Sequence, residues 1–448
     1  MAYPEAKVEI FVGGQWVDIT ADVYHRARIK ITRGKQDRAA RPSPARCRLH
    51  LKNTAVPKYS PVNPTGEYYG QLTIDTPIRV SVNPAGTQHF RFTGEIPAFP
   101  LERNKTDKDR WVAVDAFGPL YGLQRRSAPA HDALRRHIEA NNPKAYWPLT
   151  DGQTAREGSE VAAGGQPIRA KGEAGSFYQG QPDWGRGSLA RWLDSTVSLP
   201  ANTEGNLSAR VRQSPQATWT CDHFRAGVGG VEDDLTVFDN GAGSDSDPII
   251  AWLVVADRTV DQVKLWVLSA GETVSTVTDV ATINAPGIFD LSPHMLRVTT
   301  TANGSSTDWE LVIDGVSVAS GTHAVLHRPV SRIRYRWGAF ASMAEPLALG
   351  HIALWEDAPD PAATYQALLG HDGELAGRRI ERLCAEEGVG LRVIGDLDDT
   401  VVMGPQQPGE LLDLLGAAVD VDGGVLTEAL DELALEYRTL RSKYNQGG

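Results

Sequence analysis

The chain has 448 residues, 41% of them hydrophobic and 23% charged, and a formal net charge of −11. That length exceeds one ordinary core and predicts roughly two to four domains, while the composition excludes a disordered or fibrous chain. The longest apolar run, "IIAWLVVA", is far short of the ~20 residues that span a bilayer, so no membrane insertion is expected.

The opening "MAYPEAKVEIFV" lacks the basic region, apolar core and small-residue cleavage site of a signal peptide, so a protein made and kept in a cytoplasm, or released by lysis rather than secretion, is expected. Residues 5–20, "EAKVEIFVGGQWVDIT", read as strand, glycine turn, strand. "ARIKIT" and "RCRLHLKN" are two further alternating strands. They lie in "HRARIKITRGKQDRAARPSPARCR", which holds nine Lys/Arg against one acid, Asp37. Residues 1–140 carry 22 Lys+Arg and 14 Asp+Glu, a net +8, which leaves −19 for the remainder. Nucleic-acid binding is the sharp reading of such a stretch. However, no aromatic residue interleaves the cations, and Arg28 and Lys30 alternate with Ile29 and Ile31 as on the wet face of a strand. We therefore expect no nucleic-acid partner. A solvated face, or one docking a neighbour's acidic face, fits better.

"KYSPVNPTGEYYGQLTID" cannot be helical, because Pro61 and Pro64 withhold amide donors. "PIRVSV", "TQHFRFTGEIPAF" and "DRWVAVDAFG" complete a β-rich part, followed by helical "LYGLQRR" and "HDALRRHIEANN". From Ala145 to about Glu356 strand signals recur roughly every ten to fifteen residues, the rhythm of a sandwich or jelly roll. They are "GSLARWL", "LSARVR", "TWTCDHF", "DLTVFDN", "PIIAWLVVAD", "QVKLWVLS", "HMLRVTTTANG", "DWELVIDGVSVASG", "SRIRYRWGAF" and "LGHIALWE". In "DWELVIDG", Trp309, Leu311 and Ile313 share one face, Asp308, Glu310 and Val312 the other, and Asp314–Gly315 signals a type I′ turn. After Pro361, "AATYQALLGHDGELAGRRIERLCAEEG" gives two helices, the second with Ile380, Leu383 and Cys384 on one face and Gly388 as its stop. "GLRVIGD" is a strand and "PGELLDLLGAAVDVDGG" a helix. "VLTEALDELALEYRTL" fits a helix and a strand–turn–strand equally well.

The fold class expected is therefore mainly β with α+β parts, a β-rich scaffold interrupted by a β-sandwich jelly roll. Residues 1–141 form the N-terminal part with its terminal helix, 142–358 the inserted sandwich, and 359–448 the α+β continuation. "EANNPKAYWPL" and "ALWEDAPDPAATYQ" are the two seams, so they should lie close together.

Several segments resemble minor tail proteins of actinobacterial bacteriophages: "YSPVNPTGEYYGQLTIDTPIRVSV", "NPKAYWPLTDG", "RIERLCAEEGVGLRVIG", "VVMGPQQPGELLDLLGAAVDVDGGVL" and "YRTLRSKYNQ". The likeness covers most of residues 5–145 and 360–446. It implies a baseplate-hub protein at the virion tail tip, a homotrimer or other ring. Its partners would be tail-tube, distal-tail and fibre proteins, and it would be synthesised in the bacterial host cytoplasm. Relatives of this type commonly continue past "YRTLRSKYNQ", so a short or truncated member is expected. The middle is similar to concanavalin A-like or laminin-G-like jelly rolls, on "AYWPLTDG", "HMLRVTTT…DWELVIDGV" and "LGHIALWED". This implies carbohydrate binding and host glycan attachment, sometimes with calcium.

Cys47, Cys221 and Cys384 lack a CxxC pair and are expected in cores rather than in a disulfide or zinc site. No serine-nucleophile elbow, paired-histidine metal motif or phosphate loop occurs. A polysaccharide depolymerase would need two carboxylates about 5 Å apart in a cleft. Asp308 and Glu310 have a suitable strand spacing, but position 313 is isoleucine where a third acid would stand, and an outer solvated face is the plainer reading. No catalytic residue and no enzyme activity are expected, with a wall-polysaccharide depolymerase or a stand-alone lectin-like adhesin as alternatives. In "EDDLTVFDNGAGSDSDP", Asp239, Asn240, Asp245 and Asp247 are hard oxygen donors of the kind calcium prefers, set against the default of a solvated hairpin loop. No other cofactor is expected. Trp252, Trp266 and Trp309 belong to apolar strands and are expected in the core, whereas Trp184 and Trp219 are less clearly buried. The glycan-binding face itself is not selected by sequence.

Overall fold

The computed structural model describes residues 6–24, 27–34, 43–53, 58–103, 109–125, 131–171, 180–212, 217–239, 249–270, 275–339 and 346–444. They fall into two compact units: residues 1–130, 374–403 and 410–448 form one, and residues 131–373 with 404–409 the other. Among the described residues no helix is long and apolar enough to cross a membrane.

The first unit is built from both ends of the sequence. Its main sheet runs Gln15–Asp18, Ala6–Val12, Thr76–Val82, His89–Ile96, Arg110–Phe117, Ser43–Lys52, Lys30–Gly34, all antiparallel. Alternation buries Val8, Ile10 and Val12, then Cys47, Leu49 and Leu51, then Val112, Val114 and Ala116 in one core. The "VGGQ" turn forms with Gly13 and Gly14 at φ +58° and +79°, as a type I′ turn requires.

A second core in this unit lies between the helices Pro119–Arg125, Ala376–Glu386 and Leu411–Asp422 and a small three-stranded sheet. Ile380, Leu383 and Cys384 are buried on one helix face, as their spacing predicts. The ambiguous "VLTEALDELALEYRTL" forms two antiparallel strands, Val425–Glu428 and Ala434–Arg438, because Gly390–Ile394 supplies a parallel partner for the second. The Glu428 carboxylate accepts from the Ala45 amide at 2.6 Å and the Leu120 amide at 2.8 Å. That clasp joins segments 383 and 308 residues apart in sequence, and burial raises the Glu428 pKa.

The second unit is a two-sheet jelly roll. One sheet runs Glu157–Gly158, Ile168–Lys171, Gly205–Arg210, Arg332–Ala339, Glu232–Asp239, Ile249–Asp257, Gln262–Ala270, Ser275–Asn284. The other runs Asp183–Gly187, Thr196–Leu199, Leu347–Trp355, Thr218–Ala226, His294–Asn303, Ser306–Ile313, Val316–His323. Trp147, Trp219, Trp252 and Trp337 fill the space between them with Leu311, Val237 and Ile352. Trp309, Leu311 and Ile313 turn inward as expected; Val312 faces the other way yet is also buried.

One expected strand is absent. In "GSLARWL" the strand Asp183–Gly187 ends before the leucines, and the chain turns instead. The turn lets Leu189 and Leu193 bury together with Phe224 and Trp355, while the Trp192 indole donates to the Leu368 carbonyl at 3.0 Å.

The outer face of the second sheet is covered by two helices. Ala133–Ala140 is capped by Asp132, whose carboxylate accepts the Arg135 amide at 2.7 Å. Pro361–Leu368 is capped by Asp360, with proline in its first turn. Leu134, Ile138, Ala367 and Leu368 meet Tyr146, Phe224 and Met295 there. Both helices pack within the sandwich unit, which comprises His131–Gly373 and Gly404–Gly409. The first helix stops with Asn142 at φ +53°, ahead of Pro143. The Lys144 amide then donates to the Leu354 carbonyl at 2.7 Å, and Lys144 pairs with Glu356 at 2.8 Å. The chain thus enters and leaves the sandwich side by side.

Asp314 and Gly315 have φ +50° and +78°, which confirms the type I′ turn. A Cβ at Gly315 would lie 2.9 Å from the Tyr365 Cβ and 3.0 Å from the Ala362 Cα. Gly315→Val, strained in φ and clashing with that helix, is expected to cost about 2–4 kcal/mol. Thermal denaturation checks this, and a melting point within a degree of the parent would refute it.

Candidate functional site

The residues singled out in sequence do not converge. Asn240, Asp245 and Asp247 lie outside the described residues, as does the side chain of Asp239. Among the described residues no group of three His, Cys, Asp or Glu side chains is placed to hold a metal ion. Asp308 accepts from Asn303 Nδ2 at 3.0 Å and Thr322 Oγ1 at 2.6 Å, and these bonds hold its pKa below the usual carboxylate value. Glu310 accepts from Ser317 Oγ at 2.5 Å. Both carboxylates are tied to neighbouring strands on the outer side of Ser306–Ile313. Cys47, Cys221 and Cys384 are free thiols in cores, as expected. Trp252 and Trp309 are buried. Trp184 and Trp219 are buried too, closing the sandwich core, so neither is an exposed sugar platform.

Trp266 departs from expectation in a useful way. It is half-buried and faces away from the sandwich core. In Gln262–Ala270, Val263, Leu265 and Val267 take the inward positions, so Lys264, Trp266 and Leu268 fall on the outer face. The same alternation places Arg332, Arg334 and Arg336 outside, because Ile333, Tyr335 and Trp337 are inside. The strand pairings align one row across this face: Ser208, Arg334, Thr236, Leu253, Trp266. From Arg334 to Trp266 is three strand spacings, about 14 Å.

Side-chain length gives that face its relief. The middle strands offer Thr236, Ala251, Leu253 and Val255, all buried. Long side chains flank them, arginines on one side and Lys264 and Trp266 on the other. The result is a buried apolar strip flanked by polar and aromatic side chains.

The two ends of this face differ in charge. At one end Arg332 lies 3.9 Å and Arg334 5.4 Å from the Phe238 ring centroid, and Arg210 is the register partner of Arg332. At the other end Arg336 pairs with Asp234 at 2.6 Å and Lys264 with Asp257 at 2.7 Å. Glu232 stands directly across from Asp257. Burial, then the Asp257 charge, raises the Glu232 pKa. Burial alone would raise Asp257 too, but hydrogen bonds from Lys264 and Thr259 bring it below its usual value. Two facing carboxylates thus have pKa values driven apart.

The arginine alternation in "RIRYRWG" was legible as a wet strand face. Its neighbours were not, because Arg332–Ala339 pairs with Gly205–Arg210 and Glu232–Asp239, about 100 residues and more away.

The fold defines a class, a two-sheet jelly roll carried by a second β-rich and α+β unit. No family model matches the chain, and no curated protein matches it. Among solved structures it is similar to a Bacillus licheniformis β-glucanase, at 11% identity and a TM-score of 0.30, over 47% of this chain and 96% of that one. It is also similar to a botulinum neurotoxin serotype D ligand-binding domain in complex with N-acetylneuraminic acid, at 9% identity and a TM-score of 0.34, over 55% of each chain. The chain spans about half the length of the neurotoxin domains it matches. Likenesses this loose define neither a family nor a ligand.

Proposed function

We propose that the sandwich unit is a glycan-binding module and that the outer face of its first sheet, between Arg334 and Trp266, is the binding site. The observation that carries this reading is the row from Arg334 to Trp266. A half-buried indole offers a face to the apolar side of a sugar ring, and guanidinium and carboxylate groups within reach can bracket its hydroxyls. The β-rich and α+β unit then serves as the scaffold that presents this module. Its resemblance to minor tail proteins supports a tail-tip, baseplate-hub role in a phage particle, with the binding face used for host attachment. Immuno-electron microscopy of phage particles tests that placement, and absence of the chain from purified particles would refute it.

Binding of wall polysaccharides to the full chain, followed by affinity electrophoresis, tests the site. Trp266→Ala is expected to weaken binding roughly tenfold, about 1–2 kcal/mol, with the fold intact. Unchanged binding would move the site off this face.

A second reading has its own observation. Glu232 and Asp257 are cross-strand partners, which places their Cβ atoms about 5 Å apart. One carboxylate raised and one lowered is how an acid and its partner are set apart in glycoside hydrolysis. If this face cleaves as well as binds, reducing sugar is released and Glu232→Gln abolishes it. Binding without release, in the parent chain, keeps the module a lectin-like one.

A further inference from the structure

Three arginines gather at one end of this face. Arg210 and Arg332 face each other across adjacent strands, and Arg334 lies two positions along on the same side. Like charges in direct cross-strand register destabilise a sheet. Arg336, two positions further on, has its carboxylate in Asp234 at 2.6 Å. Among the described residues no carboxylate pairs with Arg210, Arg332 or Arg334. Arg334 Nη2 donates only a long bond to Thr236 Oγ1 at 3.4 Å, and its buried Nε has no partner. Phe238, only 5% exposed, lies beneath the Arg332 and Arg334 guanidiniums and gives them a platform. The pKa of Arg332 is lowered by burial and by its two arginine neighbours.

Resting on the glycan-binding reading, we propose that Arg210, Arg332 and Arg334 form a subsite for an anionic substituent, a carboxylate or a phosphate, on the bound polysaccharide. Planar guanidinium forks match both groups bidentately, and an arriving anion relieves the mutual repulsion of the three cations. Its position fixes the ligand's direction: acidic group on the arginines, neutral ring toward Trp266. A nucleic acid fits less well. The patch is three residues long, the Phe238 face is already taken by guanidinium, and the chain's net charge is −11.

The test uses the full chain and four probes: polygalacturonate, its methyl ester, a poly(glycerol phosphate) teichoic acid, and a single-stranded oligonucleotide. The parent is expected to bind at least one acidic polymer ten or more times tighter than the neutral ester, less tightly as salt rises. Polygalacturonate and the teichoic acid tell carboxylate from phosphate. Arg210→Gln/Arg332→Gln, a pair outside the Arg334–Trp266 row, is expected to lose that tenfold preference while keeping its residual binding to the ester. Its melting temperature without ligand should match or exceed the parent's, since repulsion is removed. Equal binding of acid and ester overturns the anionic subsite and leaves glycan binding standing. Binding of no polymer overturns both. Oligonucleotide binding that is lost in the double variant overturns the ligand class.

Discussion

Asp222→Ala is expected to destabilise the sandwich unit by about 3–5 kcal/mol, a fall in melting temperature of roughly 10 °C. Asp222 and Arg297 are register partners on the face of the second sheet that the helices cover, at 0% and 3% exposure. The guanidinium Nε and Nη2 donate to the two carboxylate oxygens at 2.6 and 2.8 Å. The Trp355 indole donates to the same carboxylate at 2.9 Å. Arg297 also reaches the Pro359 carbonyl at 2.7 Å and Thr364 Oγ1 at 3.4 Å, which ties the Pro361–Leu368 helix to the sheet. Removing the carboxylate leaves a buried cation and a buried indole N–H unpaired, and the desolvation of both is then uncompensated. Asp222→Leu/Arg297→Met, which removes both charges, should lose far less than the single change. Chemical denaturation of both variants checks this. A single-variant loss under about 1 kcal/mol would show that the pair is solvated in solution.

Acid is expected to weaken the same unit steeply. His223 and His351 are fully buried, and burial drives each pKa down to about 3. Positive neighbours add to this, Arg225 for His223 and Arg135 for His351. The Tyr146 hydroxyl lies 2.6 Å from His351 Nδ1, and Asp132 is 3.8 Å from Nε2. The unfolded chain binds a proton at each histidine below about pH 6.5, whereas the folded chain does not until about pH 3. Stability is therefore complete above about pH 6.5 and falls with pH in that window, by about 1.4 kcal/mol per pH unit for each histidine. Asp132, Asp194 and Asp233, raised by burial, act in the opposite sense, because the folded state takes up their protons first. Comparing variants isolates the histidines. His351→Gln should be less stable than the parent at pH 7, and the gap should close as pH falls toward 4.5. A gap independent of pH would mean that His351 protonates without unfolding.

Residue order alone was enough for most strands and helices. Period-2 alternation in "VEIFV", "RCRLHL" and "DWELVI" marks strands because one side of each must be apolar to cover a core. Gly388 and Gly423 mark helix ends because glycine adopts the left-handed backbone there without strain. It fell short at "GSLARWL" and "VLTEALDELALEYRTL". There the outcome depends on distant partners, Leu368 and Phe224 for the first, Gly390–Ile394 for the second.

The candidate site shows the same division more sharply. Sequence set out "SRIRYRWGAF" as a strand and placed Trp266 in another, as a core residue. Only the strand order of the folded sheet decided that Arg210, Phe238, Leu253 and Trp266 stand in line with Arg332 and Arg334. It likewise turned Trp266 outward while keeping Trp252 and Trp309 in the core. Local alternation is written into each short segment by the pleat of the backbone. Which segments become neighbours depends on long-range pairing and on which faces find cover, and those are properties of the whole fold.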